Sequence, residues 1–274
     1  MAATSIAEAL RAAGIDPVDA RVLLRAALRV SAAHLAAHPE RSLTEIERER
    51  YRAWVERRRA GEPVAYLTGE REFYGLALKV TPAVLIPRPE TELLVETALG
   101  LIAADASARV LDLATGSGCV AVAIGRHRAH ARVTAADISR DALTVARDNA
   151  RAHGVDVEFI ESDWFAALSG RRFDLIVSNP PYIAEGDTHL EAGDLRFEPR
   201  NALVAGPDGM ACIDSIVASA HAHLVSGGWL LFEHGYDQAS RCRNLLQRTG
   251  FQQVTSRRDL AGIERISGGQ GGGA

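Results

Sequence analysis

From about residue 90 onward, short apolar runs alternate with amphipathic stretches of helical period. Strands are predicted at Ala108 to Leu113, Arg132 to Ala136, Val157 to Glu161, Phe173 to Ser178 and Trp229 to Glu233, with two last strands around Val254 and Ile263 to Ile266. Helices are predicted at Glu90 to Leu101, from Gly118, from Ser139 to His153, at about Met210 to Leu224, and ending at Thr249-Gly250. Alternating strands and helices predict an α/β fold, a doubly wound and mostly parallel sheet with helices on both faces. The first 65 or so residues read as helical instead. Asp16-Pro17 supplies an N-cap with proline at the first helical position, and Thr44 to Glu47 is a capping box for a helix through Arg59. Four parts follow: a small N-terminal helical domain for substrate docking (1–70), a hairpin connector around Gly75 (71–88), a main domain (89–266) and a glycine-rich tail (267–274), expected to be disordered.

Composition narrows the class. A formal net charge of -4 over 274 residues argues against a protein that grips long nucleic acid through its phosphates. Cys119, Cys212 and Cys242 lie far apart with no C-x-x-C, which fits reduced thiols and argues against a zinc site. His34, His127, His153 and His234 have no metal-ligand spacing, so no metal is expected. Neither a signal peptide nor a membrane-length apolar run is read, and a cytoplasmic monomer without membrane contact is expected. The charged stretch Glu45 to Arg59 reads as a solvated helix with i,i+4 pairs, or as a docking surface.

Candidate chemistry concentrates at Asn179-Pro180-Pro181-Tyr182, directly after the strand ending in Ser178. Two prolines fix φ and offer no N–H, so the strand cannot continue and the backbone becomes a rigid turn with free carbonyls. The Asn179 side-chain oxygen and the Pro180 carbonyl can each accept one hydrogen of a planar –NH2 group, with Tyr182 packed against its plane. The nitrogen lone pair is then aimed out of the plane, as attack by an amide or an exocyclic amine requires. Asn179, Pro180 and Tyr182 are the catalytic candidates; taken alone, the same four residues read as a proline-terminated strand with a loop tyrosine.

A second constellation suits a nucleoside cofactor. Asp112-Leu113-Ala114-Thr115-Gly116-Ser117-Gly118 is a strand end, a small-residue turn and a helix start, where backbone can approach a ligand closely. Asp137 closes the next strand and is placed to accept ribose hydroxyls. The third glycine of a dinucleotide fingerprint is missing, and Asp112 would repel a pyrophosphate while suiting an ammonium group. An amine, a ribose and no phosphate describe S-adenosylmethionine; a tight turn with no ligand is the alternative. Trp164, after the third strand, either lies against the adenine or fills the core.

In this order the residues resemble the release-factor glutamine methyltransferases of the HemK type. The resemblance runs from about Gly61 to Ile266, through Gly61 to Gly69, Phe73-Tyr74-Gly75, Leu85 to Glu92, Asp112 to Gly118, Ser162 to Phe165, Ser178 to Tyr182, Arg196 to Pro199 and Glu233-His234-Gly235. It implies a seven-stranded methyltransferase sheet and methylation of the glutamine amide in the Gly-Gly-Gln motif of peptide chain release factors. It also implies cofactor contacts at Ala114, Thr115, Gly116, Ser117, Gly118, Asp137, Trp164 and Asn179, and substrate contacts at Asn179, Pro180, Pro181 and Tyr182. The family usually carries glycine at the position of Ala114, so an ordinary φ or a shifted turn is expected there. Arg88, Glu90 and Arg196 to Pro199 either shape the substrate pocket or tie loops together. Rival readings are a glutamine methyltransferase acting on a ribosomal protein, an adenine methyltransferase acting on flipped nucleic-acid bases, and a cofactor-binding docking module. The tail itself contains Gly268-Gly269-Gln270, which arises by chance in a glycine-rich segment or occupies the chain's own site.

Overall fold

The computed structural model describes residues 4–272. The chain forms two compact units, one comprising the chain up to Glu70 with Glu191–Phe197, the other Arg71–Leu190 with the chain from Glu198 onward. The first unit is helical: α1 (Ile6–Ala12), α2 (Pro17–Leu28), α3 (Ala32–Ala37), α4 (Glu45–Arg59) and α5 (Val64–Thr68). Ser5, Asp16, Ser31 and Thr44 cap the first four through side-chain oxygens, satisfying backbone N–H groups that have no partner within the helix. Leu23, Leu24, Tyr51 and Val55 are buried at the centre of this unit. The charges of α4 are mostly spent within it: Arg41 pairs with Glu47, Arg57 with Glu62, and Arg58 with both Asp19 and Asp194.

The second unit starts with a hairpin of β1 (Glu70–Phe73) and β2 (Leu76–Lys79). Then come α6 (Glu92–Leu101), β3 (Arg109–Leu113), α7 (Cys119–His127), β4 (Arg132–Asp137), α8 (Arg140–Ala152), β5 (Val157–Glu161) and β6 (Phe173–Ser178). The chain closes with α9 (Ala211–His223), β7 (Leu224–Glu233), α10 (Ala239–Arg248), β8 (Gln252–Arg258) and β9 (Glu264–Gln270). Seven strands form one sheet in the order β5-β4-β3-β6-β7-β9-β8, parallel except where β9 pairs antiparallel with β7 and β8. Side chains alternate across it as strand geometry demands. Val110, Leu175, Val177 and Leu231 face the α6 and α7 layer, while Leu111, Leu113, Ile176 and Phe232 face α9 and α10. Among the described residues, no helix is long and apolar enough to cross a membrane.

The tail departs from expectation. Ser267 to Gln270 are not disordered but form the second half of β9, pairing with Phe232 to Trp229. Packing explains the glycines. A Cβ on Gly268 would lie 2.4 Å from the Leu230 carbonyl oxygen and 2.5 Å from Leu231 Cδ2, and one on Gly269 would lie 2.9 Å from Phe251 Cβ. These positions are glycine because neighbours approach too closely for a side chain, a cause that composition does not reveal. Gln270 donates from Nε2 to the Gly227 carbonyl at 2.9 Å and accepts from Gln253 at Oε1. This Gly-Gly-Gln is therefore held in the sheet and does not occupy the chain's own site. The last two residues of the predicted tail, 273–274, lie outside the described residues.

Candidate active site

The strand order dictates where a ligand can sit. From β3 the sheet grows outward through β4 and β5, and β6 then returns to the opposite side of β3. Loops leaving the carboxyl ends of β3 and β6 therefore diverge and open a crevice at this switch point. Leu113 is in register with Ser178, whose Oγ donates to the Leu113 carbonyl at 2.8 Å. The next residues, Ala114 and Asn179, leave the sheet side by side. The two sequence motifs, 65 residues apart at this bond, are brought together.

The turn after β3 is held from both ends by carboxylates. Asp112 Oδ2 accepts from Thr115 Oγ1 at 2.6 Å and from the Ala121 N–H at 3.1 Å. Asp137 Oδ2 accepts from the Gly116 N–H and its Oδ1 from the Ser139 N–H, both at 2.9 Å. Gly118, at φ +79°, lets α7 pack on α8: a Cβ there would lie 2.9 Å from Ala146 Cβ. Ser117 Oγ is buried in the turn without a hydrogen-bond partner. Ala114 contradicts the expectation of ordinary φ, since it sits at φ 56° in the left-handed region. The hydrogen bonds around it impose this conformation, which costs a residue bearing a Cβ about 1–2 kcal/mol. Ala114→Gly is expected to raise stability by up to about 1 kcal/mol once the extra chain entropy of glycine is counted, roughly 2–4 °C in Tm. Thermal unfolding checks this, and a lower Tm for the variant contradicts it.

A cavity of about 250 Å³ opens over this turn. Asp112 to Ser117, Asp137, Ile138, Trp164, Asn179 and Pro181 line it, together with Thr91, Ala83, Leu85, Asn201 and, from the start of α9, Cys212. Gly118, although it shapes the turn, is not among the lining residues, nor are Pro180 and Tyr182. Ile138 is 61% exposed, an apolar side chain left open beside the cavity, and its place there is not legible in the sequence. Burial pushes the Asp112 carboxyl up to about 7, against the two bonds that favour its anion. Burial also raises Asp137, with the Ser139, Gly116 and Ile138 N–H groups opposing. Two carboxyls desolvated at a cavity wall are suited to a cation and to hydroxyl donors.

Behind Asn179 lies a buried polar chain that links three sequence-distant segments. Asn179 Nδ2 donates to Thr91 Oγ1 at 3.0 Å, and Thr91 Oγ1 donates to Glu233 Oε2 at 2.7 Å. Tyr182 Oη donates to Glu233 Oε1 at 3.0 Å. Thr91 and Glu233 are each only 1% exposed. Burial pushes Glu233 up to about 7 while the Thr91 and Tyr182 hydroxyls oppose it; Glu90 adds to the rise and Arg265 counters it. Burial likewise raises the Tyr182 phenol, helped by the Glu233 charge. The Tyr182 hydroxyl is thus anchored inward, which fixes the turn from behind. Glu198, buried, accepts from the Ile86 N–H at 2.9 Å and pairs with Arg88, so these two residues tie loops of the second unit together. Arg196 instead donates to the Ala60 carbonyl within the first unit.

This sheet order, with its terminal antiparallel strand and the crevice beside β3, defines a methyltransferase-fold protein. A 16S rRNA N2 methyltransferase of T. thermophilus, solved with AdoMet and guanosine, shares the fold at a TM-score of 0.56 and 19% identity, over 73% of this chain and 49% of that one. Family models match as a methyltransferase small domain over residues 89–206 and a PrmC N-terminal domain over residues 2–69. The release factor glutamine methyltransferase of Burkholderia pseudomallei (strain K96243) is 56% identical over 271 residues, 96% of this chain and 95% of its own. That of Bordetella pertussis (strain Tohama I) is 49% identical over 267 residues, 97% and 99% of the two chains. The chain belongs to the release factor glutamine methyltransferase family.

Proposed function

We propose that this protein transfers a methyl group from S-adenosylmethionine to the side-chain amide nitrogen of the glutamine in the Gly-Gly-Gln motif of peptide chain release factors. The observation that carries this reading is near-full-length similarity to enzymes of that name, with Asn179 at the cavity beside the Asp137-anchored turn. The cavity residues fit the cofactor. Asp137 Oδ2 accepts from Gly116 and Oδ1 from Ser139, and the carboxylate's remaining acceptor capacity suits a ribose hydroxyl. Asp112, which lines the cavity and uses Oδ2 in the turn, suits an ammonium, and Ser117, also in the lining, is a further polar partner. Trp164 and Ile138 offer apolar surfaces for the adenine.

When bound, the cofactor supplies a methyl group already activated by a sulfonium charge. The chain's own task is placement, which can supply roughly 7–11 kcal/mol of barrier reduction. Asn179 Oδ1 and the Pro180 carbonyl accept the two amide hydrogens, hold the nitrogen in line, and favour the positive charge developing on it. Tyr182, anchored through Glu233, keeps the turn at its depth. No general base is needed before the transition state, because the nitrogen becomes acidic only after methylation. Glu233 does not line the cavity, and both its oxygens are taken.

We assign docking of the release factor to the helical N-terminal unit, and describe the protein as a cytoplasmic monomer that makes no direct contact with nucleic acid. The formal charge of -4 supports the last point. Incubation with labelled cofactor and, separately, release factor, ribosomal proteins and DNA tests the assignment. Label on the Gly-Gly-Gln glutamine alone is expected. Label on a ribosomal protein or on adenine in its place would transfer the chain to a rival reading.

A further inference from the structure

Asn179 can serve an amide only if its side chain points the right way. Its oxygen accepts a hydrogen from the substrate –NH2, whereas its own –NH2 group would meet that donor with another donor. A side-chain amide can rotate by half a turn with little steric cost, so something must select the orientation. Pro180 and Pro181 offer no N–H to do it.

We propose that Thr91 and Glu233 form a relay that sets the polarity of Asn179 and makes them positioning residues for methyl transfer. Hydrogen-bond bookkeeping carries this inference, with each donor used once. In its ionised form, which the bonded Thr91 and Tyr182 hydroxyls favour against burial, Glu233 can only accept, and its Oε2 is 2.7 Å from Thr91 Oγ1. The single Thr91 hydroxyl proton is therefore committed to Glu233. Thr91 Oγ1 can then only accept from its other neighbour, which is Asn179 Nδ2 at 3.0 Å. With Nδ2 held inward, Oδ1 is the atom left to meet a substrate. Tyr182 Oη, 3.0 Å from Glu233 Oε1, occupies the second carboxylate oxygen and keeps the carboxylate from turning away from Thr91. One buried anion thereby fixes both polar residues of the Asn179-Pro180-Pro181-Tyr182 turn, across 142 residues in the case of Thr91 and Glu233.

The arrangement also accounts for a carboxylate at a buried position. A hydroxyl-bearing or amide residue there would accept and donate alike, and so would leave the Thr91 proton free to face Asn179. A free proton on Thr91 stabilises the flipped amide, which presents a donor to the substrate.

This inference rests on the reading that Asn179 Oδ1 accepts from the substrate amide, and the test separates the two. Turnover on release factor at saturating cofactor, the substrate KM and cofactor binding are measured for four variants. Asn179→Ala is the control for the reading itself. Thr91→Val keeps the shape and removes the hydroxyl; its kcat is expected to fall about ten- to hundredfold, the worth of one buried polar group left without its partner. Because Thr91 also lines the cavity, cofactor affinity, read by calorimetry, should fall by less than kcat, and an unchanged circular dichroism spectrum shows that the variant is folded. Thr91→Ser restores the hydroxyl and should recover most of that loss. Glu233→Gln can turn its amide either way and should fall between wild type and Thr91→Val. Wild-type turnover in Thr91→Val, or a Thr91→Ser chain as impaired as Thr91→Val, overturns the relay. Wild-type turnover in Glu233→Gln removes Glu233 from it. A defective Asn179→Ala beside an unaffected Thr91→Val defeats the relay alone, whereas an active Asn179→Ala defeats the amide-holding reading.

Discussion

Asn179→Ala is expected to lower kcat by about 10²–10³, the usual cost of losing one preorganised polar partner aimed at developing charge. The loss should fall on turnover more than on cofactor binding. The Asn179 side chain bonds Thr91 and is only half-buried, so the fold loses little when it is truncated. Removing its oxygen leaves one amide hydrogen without an acceptor and the nitrogen free to rotate out of line with the donor. Single-turnover rates at saturating cofactor isolate this step. A variant with near-normal turnover would take Asn179 out of the mechanism.

The second large effect is expected at Asp137. Asp137→Ala removes the proposed ribose acceptor, and in the same stroke frees the Gly116 and Ser139 N–H groups that its two oxygens hold. Two backbone donors in a part-buried turn lose their partner, at roughly 1–3 kcal/mol each for the fraction that water does not replace. Cofactor Kd is therefore expected to rise by about a hundredfold or more, through loss of both a direct contact and the turn's shape. Asp137→Asn, which can keep one of the two backbone bonds, should fall between. Calorimetric titration with the cofactor decides it, and a Kd within a few-fold of wild type in Asp137→Ala would contradict the assignment.

The contrast between these residues and the relay behind them shows what a sequence can disclose. Asn179 was legible because two prolines end a strand, a local event with a local signature. Asp112 and Asp137 were legible because each stands at a strand end next to a small-residue turn or a helix start, and strand ends are fixed by apolar runs. The α/β alternation itself follows from period, and the seven-stranded order confirms it. Thr91 and Glu233 carry no such signal for a polar chain. One lies just before α6 and the other at the end of β7, and only the folded sheet makes them neighbours. Ser267 to Gln270 show the reverse error, in which composition suggested disorder. Glycine is there because Leu230 and Leu231 come too close for a side chain, and proximity across a sheet is not written in the run of residues that experiences it. Ala114 was misjudged for a related reason: local propensity disfavours φ 56°, but Thr115 and Gly116 are anchored by Ala136 and Asp137 on either side, and tertiary bonds prevail.

The central claim is geometric, and a structure of the chain with the demethylated cofactor and a Gly-Gly-Gln peptide tests it most directly. The account predicts the glutamine side-chain nitrogen about 3 Å from Asn179 Oδ1, with its lone pair turned toward the cofactor sulfur and the Asn179 nitrogen still on Thr91. A glutamine bound elsewhere, or an Asn179 amide turned the other way in the complex, would contradict it.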